Sequence, residues 1–306
     1  MDIGVLQSDC DEPLQKKALD KFYTKSSITK LCVKHLLEVL IKIGYDIKEI
    51  TFIEPSAGGG AWVKTLEENN ISSIRAYDIV PTDSGIIKRD FLKVRLKYRK
   101  DTVTIGNPPF GKKSILAIEF FNHCSSMCDT IAFIVPLQFR KWSVQSKLDT
   151  TMRLISDITL DENSFTTPEG KDYKVRCCFQ IWTKKSWDKN FRLKKVPSLF
   201  HKDFEIWQYN NTKETLKYFD NDFDFAVPRQ GYCDYSRRET DKEKCEKTTQ
   251  WMLFKAKNKK VLKNLMELDF EKLSKNNITI PGFGKADVVM QYSKVYKKVS
   301  RRSENV

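Results

Sequence analysis

Histidine is scarce in this chain. His35, His123 and His201 are all that 306 residues contain, so chemistry built on an imidazole base or a histidine-rich metal centre has little to draw on. The eight cysteines include no C-x-x-C pair. Cys124 and Cys128 lie four apart beside His123, and Cys177-Cys178 are neighbours. Neither pattern is that of structural zinc, so no metal is expected and free thiols in a reducing compartment are. The G-x-G-x-x-G spacing of dinucleotide folds is missing, and so is the Gly-Lys-Ser/Thr ending of a phosphate loop. No apolar run reaches membrane-spanning length, and Met1 to Pro13 is polar and acidic, unlike a secretory signal. A soluble intracellular protein, cytoplasmic or nuclear, is the expectation. There is no internal repeat and no long low-complexity segment.

What the chain does have is positive charge, unevenly placed. Lys and Arg number 54 against 40 Asp and Glu, a net +14. Residues 1–183 hold 26 basic and 23 acidic residues, whereas 184–306 hold 28 and 17 and so supply +11 of the excess. A length of 306 suits a core domain with an appendage. The excess suits phosphates, or simply a well-solvated lysine-rich surface.

Apolar runs in the first part end in punctuation that carries chemistry. Thr102-Val103-Thr104-Ile105 leads through Gly106 to Asn107-Pro108-Pro109-Phe110. Two prolines between an amide and a ring make a stiff turn, which either terminates a strand or presents a planar amine-bearing substrate with an acceptor and a stacking face. Ile50-Thr51-Phe52-Ile53 ends in Glu54-Pro55-Ser56-Ala57-Gly58-Gly59-Gly60 before a helix-like segment from Ala61 to Asn69, an arrangement that lets backbone pass close under a nucleoside. Asp78 and Asp90 close two further runs. Asp78 lies about one βα unit beyond the glycines, where a carboxylate receives ribose hydroxyls; either acid could equally be a helix cap.

In this order the motifs resemble those of the S-adenosylmethionine-dependent N6-adenine amino-methyltransferases, over about residues 20 to 183. The resemblance implies that Glu54, Pro55, Ala57, Gly58 and Gly60 line the methionine and ribose part of the cofactor. It gives Asp78 the ribose, Ile79 and Phe91 places beside the adenine, and Asp90 the adenine amino group. Asn107-Pro108-Pro109-Phe110 matches the catalytic tetrapeptide, with Asn107 also beside the cofactor. Phe22-Tyr23-Thr24 is similar to the amino-terminal cofactor motif of the gamma arrangement, in which the target-recognition region comes last; Tyr23 and Thr24 would then touch the cofactor. Phe179, in Val175 to Trp182, is expected as the second aromatic of a base sandwich, with burial in a last core strand as the alternative. Lys112, Lys113, Arg140 and Lys141 are expected around the substrate backbone. The implied activity is methylation of adenine N6 in DNA. RNA is the near alternative, and a protein-glutamine methyltransferase or a silent nucleic-acid-binding subunit the more distant ones.

The expected fold class is α/β, a Rossmann-like seven-stranded class I methyltransferase sheet over 1–183, followed by a basic target-recognition region over 184–306. Residues 26–43 carry helical spacing. Strands are expected near 50–54, 73–78, 85–90, 102–106 and 130–135, and finally at 153–160 and 175–183 with a polar loop over 161–174. Helices are expected over 114–124 and 138–149. Beyond Trp187, aromatics interleave with cations at Phe191-Arg192, Lys194-Lys195, Tyr232, Tyr235, Arg237-Arg238, Trp251, Lys255 and Lys257, a mixture that suits phosphate and base contacts. Residues 278–292 are expected to return as a strand-turn unit, and the Lys297-Lys298 and Arg301-Arg302 pairs to form a loose tail.

Overall fold

A computed structural model describes residues 22–167, 169–231, 234–275, 277 and 280–303, with 297–303 by backbone alone. In chain order come β1 (Tyr23–Thr24), α1 (Ser26–Lys42), β2 (Thr51–Glu54), α2 (Ala61–Glu67), β3 (Ile74–Asp78), β4 (Ile87–Lys88), β5 (Arg99–Gly106), α3 (Ile115–Ser125) and β6 (Cys128–Pro136). Then follow α4 (Trp142–Gln145), β7 (Arg153–Thr159), β8 (Phe165–Thr166), β9 (Asp172–Tyr173) and β10 (Cys177–Thr183). The remainder holds β11 (Phe204–Tyr209), β12 (Phe225–Gln230), β13 (Gln250–Ala256), α5 (Lys259–Met266), α6 (Phe270–Ser274) and α7 (Lys285–Ser303).

Seven strands form one sheet in the order β4-β3-β2-β5-β6-β10-β7. β2 is parallel to β3 and β5, β3 to β4, and β5 to β6. β10 enters between β6 and β7 antiparallel to both, Cys178 facing Val135 on one side and Thr159 on the other. Helices cover both faces, which is why β6 and β10 are buried along their whole length and read as continuous apolar runs. α3 packs one face through Ala117, Phe121 and Cys124. α1 and α2 pack the other through Cys32, Leu36, Leu40, Trp62 and Leu66. The buried positions of α1 recur every three or four residues, and the helix stops before Gly44, whose φ of +80° a side chain resists. This is the Rossmann-like doubly wound sheet expected. Its β2, β3 and β5 carboxyl ends, where such sheets bind ligands, bring Glu54, Asp78 and Asn107 to one edge.

After Thr183 a second sheet, β11-β13-β12, is antiparallel throughout. α5, α6 and α7 cover one face against Phe204, Ile206, Met252 and Phe254, while Phe219 packs on Tyr209, Trp251 and Leu253 of the other. No helix among the described residues is long and apolar enough to cross a membrane.

Four local expectations need correction. The helix over 138–149 is instead a 3-10 turn at Leu137–Arg140 and the single helical turn of α4, broken at Lys141 with ψ 145°. Its later carbonyls are claimed from outside, because the Arg192 guanidinium takes those of Gln145, Leu148 and Asp149. The strand over 85–90 shrinks to β4, since Asp90 caps a 3-10 turn by accepting from the Leu92 amide. The polar loop 161–174 contains β8 and β9, which pair with each other and carry β1 on the edge. In 278–292, Lys285 onward is helix α7, which reaches Ser303 through the basic pairs expected to be loose. Met1 to Pro13 and Tyr232 lie outside the described residues.

Candidate functional site

A cavity of ≈ 360 Å³ opens at the carboxyl edge of β2, β3 and β5. Of the residues expected at a cofactor, Tyr23, Thr24, Glu54, Pro55, Ala57, Gly58, Asp78, Ile79, Asp90, Phe91 and Asn107 all line it, as do Pro108, Pro109 and Phe110. Gly60 does not. It begins α2 with φ +74°, a left-handed turn that closes the loop by donating from its amide to the Ala57 carbonyl at 2.8 Å.

The glycine turn is cut to fit what surrounds it. Gly58 has φ +53°, and a Cβ there would touch the Tyr23 ring at 3.4 Å. Its amide donates to Asp78 Oδ2 at 2.8 Å, and the Val80 amide donates to Asp78 Oδ1 at 2.8 Å. These bonds fix the Asp78 carboxylate on the cavity wall. Tyr23 is held by the short sheet that β8 and β9 make with β1, braced by Phe22 stacked on Tyr173 at 3.7 Å and by Lys25 paired with Asp172 at 2.7 Å. Two-residue strands around a polar turn carry no periodicity, so this small sheet has no signature in the sequence.

Unmet acceptors distinguish the cavity floor. Glu54 is fully buried, and neither carboxylate oxygen has a hydrogen-bond partner. Burial pushes its pKa well above the carboxylate range, and the Asp78 charge adds to this. Asn107 Oδ1 is likewise buried and unpartnered. Such atoms are uncommon in folded proteins because each carries a desolvation cost, and they mark places where a donor is missing. The Asn107 backbone is anchored independently, its carbonyl accepting from Ser56 Oγ at 3.1 Å. Beyond Phe110, Gly111 has φ +65°, and a Cβ there would come within 2.9 Å of Leu116 Cβ, so the turn following the tetrapeptide tolerates no side chain.

The expected substrate contacts fare unevenly. Phe179 is fully buried on the α1 and α2 side of β10, stacked on Trp62 at 6.2 Å. It cannot be one half of a base sandwich, because β10 is a sheet-interior strand covered on both faces. Phe179→Ala should therefore lower stability by about 3–5 kcal/mol, as large core truncations do. Denaturant unfolding would measure this, and a variant that kept its stability would return the residue to the substrate. Arg140 is held by Asp157 through Nε at 3.0 and 3.1 Å, and Lys141 Nζ donates to Asn277 Oδ1 at 2.6 Å. Both therefore serve the fold. Lys112 and Lys113 are exposed just beyond Phe110 without lining the cavity. Sequence reasoning did not single out the lining residues Trp62, Arg89, Leu92, Leu116 and Phe120; nothing in their spacing marks them. Neither His35 nor His123 lines the cavity, and burial lowers the pKa of both.

No family model matches the chain, and no curated protein does. Among solved structures, a Pyrococcus horikoshii protein provisionally described as an RNA methyltransferase is 13% identical, covering 56% of this chain and 88% of its own, with a TM-score of 0.42. The 23S rRNA methyltransferase ErmE is 15% identical over 53% of this chain and 70% of its own, with a TM-score of 0.36. The type IIG restriction endonuclease BpuSI is 14% identical over 62% of this chain and 27% of its own, with a TM-score of 0.40. Scores this low carry no argument, and the fold assignment rests on the strand order itself.

Proposed function

We propose that this chain transfers a methyl group from S-adenosylmethionine to the N6 amine of adenine in nucleic acid, DNA being the favoured polymer. The observation that carries the reading is the set of three unpartnered buried acceptor atoms, two on Glu54 and one on Asn107, in a cavity that also holds Asp78 and the Phe110 ring. Glu54 suits the cofactor's ammonium and Asp78 its ribose hydroxyls. When bound, the cofactor would supply an electrophilic methyl on a sulfonium.

The chain's own residues supply orientation. An exocyclic amine is a weak nucleophile because its lone pair is delocalised into the ring. Asn107 Oδ1 and the Pro108 carbonyl accept its two N–H bonds, which turns the lone pair out of conjugation and towards the methyl using dipoles fixed beforehand. Phe110 stacks on the ring and holds the nitrogen in line. The amine becomes strongly acidic only after it accepts the methyl, so no general base is required. A base within a duplex would have to leave the stack to reach Phe110. In this reading residues 1–183 are the catalytic unit and 184–306 the nucleic-acid unit.

The decisive experiment is labelled methyl transfer to duplex DNA, single-stranded DNA and RNA, followed by identification of the modified nucleoside. N6-methyladenine in DNA is expected; label confined to RNA would move the substrate, and label on another base or on protein would end the reading. Nucleic-acid binding should also weaken steeply with salt, on the order of 10³-fold between 50 and 200 mM if six phosphates are contacted. A titration showing salt-independent affinity would remove the phosphate-binding role.

A further inference from the structure

Most of the cations and rings that give the second half of the sequence its nucleic-acid character are engaged inside the fold. Arg192 donates to four backbone carbonyls. Arg238 donates to those of Tyr235 and Leu268 and lies 4.6 Å from the Phe270 ring. Arg237 pairs with Glu239 and Glu246, and Lys255 with Asp222 and Asp224. Trp251 and Tyr235 are buried.

Exposed lysines stand elsewhere after Thr183, among them Lys213, Lys217, Lys242 and Lys244, but one strip combines lysines with exposed rings. Residues 187–200 form neither helix nor strand, and on them Phe191 is 55% and Phe200 75% exposed, with Val196 and Leu199 exposed between. Lys189, Lys194, Lys195 and Lys202 are exposed, and among the described residues none has an ion-pair partner. The strip is pinned at its start, where the Phe191 amide donates to Leu154 O and the Leu193 amide to Gln145 Oε1, both at 2.8 Å. At its far end the Lys257 amide donates to Asp203 O at 3.0 Å, which brings the exposed Lys257, Lys259 and Lys260 alongside Lys202. Phe191, Val196, Leu199 and Phe200 make an exposed apolar run interleaved with lysines, and Asp188 is the one carboxylate within 187–200.

We propose that this strip, with the lysines at the head of α5, is the contact surface for a single-stranded stretch of the nucleic-acid substrate, an inference that rests on the methyl-transfer reading. The lysines match a phosphate backbone. Phe191 and Phe200 present flat faces along an extended chain, which suits unstacked bases; a duplex would engage the lysines and leave the rings unused.

The test uses the full chain carrying Asn107→Ala, so that binding is read without turnover, with fluorescently labelled single-stranded and duplex adenine-containing oligonucleotides in an anisotropy titration. Phe200→Ala should weaken single-strand binding roughly 5- to 150-fold, the range for losing one stacked base, and leave duplex binding almost unchanged. Lys194→Gln with Lys195→Gln should reduce the slope of log affinity against log salt by about 1.4. Unchanged melting temperatures would show that both variants fold. If a chain with Asn107 intact methylates nucleic acid but both strip variants bind like the parent, the strip inference fails and methyl transfer stands. If only the lysine change matters, the single-strand assignment fails. Polyglutamate competing as well as the oligonucleotide at equal charge would make the strip a docking site for acidic protein. A chain that neither binds nor methylates any nucleic acid fails at the methyl-transfer reading itself.

Discussion

Asn107→Ala should lower methyl transfer by at least about 10²- to 10³-fold, the scale on which loss of one preorganised hydrogen-bonding group acts, while cofactor affinity changes only a few-fold. The separation is possible because the loop does not depend on the Asn107 side chain. Its backbone carbonyl is held by Ser56 Oγ, and the prolines fix the path that follows. Removing Oδ1 therefore deletes the acceptor for the amine and leaves the turn in place. Single-turnover rates beside equilibrium cofactor titration would measure both quantities, and a variant that still transfers methyl at the parental rate would end the proposed role. Asn107→Asp keeps an acceptor but adds charge close to Glu54, so it should fall between the two.

Glu54→Gln should stabilise the ligand-free protein at neutral pH and weaken cofactor binding by roughly 10- to 150-fold, the scale of losing a charge-assisted hydrogen bond. Burial and the Asp78 charge raise the Glu54 pKa in the folded state, so the folded chain holds this proton to higher pH than the unfolded chain does. The stabilising contribution is complete below the unfolded carboxylate pKa and is lost as pH rises through the folded one. The ligand-free melting temperature should thus fall with rising pH above the ordinary carboxylate range, more steeply in the parent than in the variant. Binding a cation reverses the preference by favouring the ionised carboxylate, so cofactor affinity should rise over the same interval. Thermal unfolding across pH, with and without cofactor, would test both signs. Parallel curves for parent and variant would show that Glu54 does not titrate in this way.

The central sheet was legible because β2, β5 and β6 are short apolar runs stopped by Gly and Pro, and the punctuation that stops them is also what lines the cavity. Glu54, Asp78 and Asn107 could be found together because strand ends in a parallel sheet share one edge. Phe179 was not legible: whether a ring on a strand faces ligand or core depends on what covers it, and β10 is covered by helices drawn from far along the chain. The same limit applied to Arg192, Arg238 and Lys255, which bond to Leu148, Leu268 and Asp224, groups that only tertiary pairing brings near. Phe191 and Phe200, by contrast, lie where no helix or strand among the described residues covers them.

The wall that carries Tyr23 has a consequence for synthesis. Among the described residues β1 pairs with Phe165–Thr166 and, through them, with Asp172–Tyr173, about 140 residues later on a chain that emerges from its amino end. A ribosome-bound chain can complete Glu54, the glycine turn and Asn107 while this wall is still unbuilt, and β10 must then slot between β6 and β7 before the sheet is whole. Such late, long-range closure is intrinsically slow. On the methyl-transfer reading, a donor bound against Tyr23 would hold that closure by mass action.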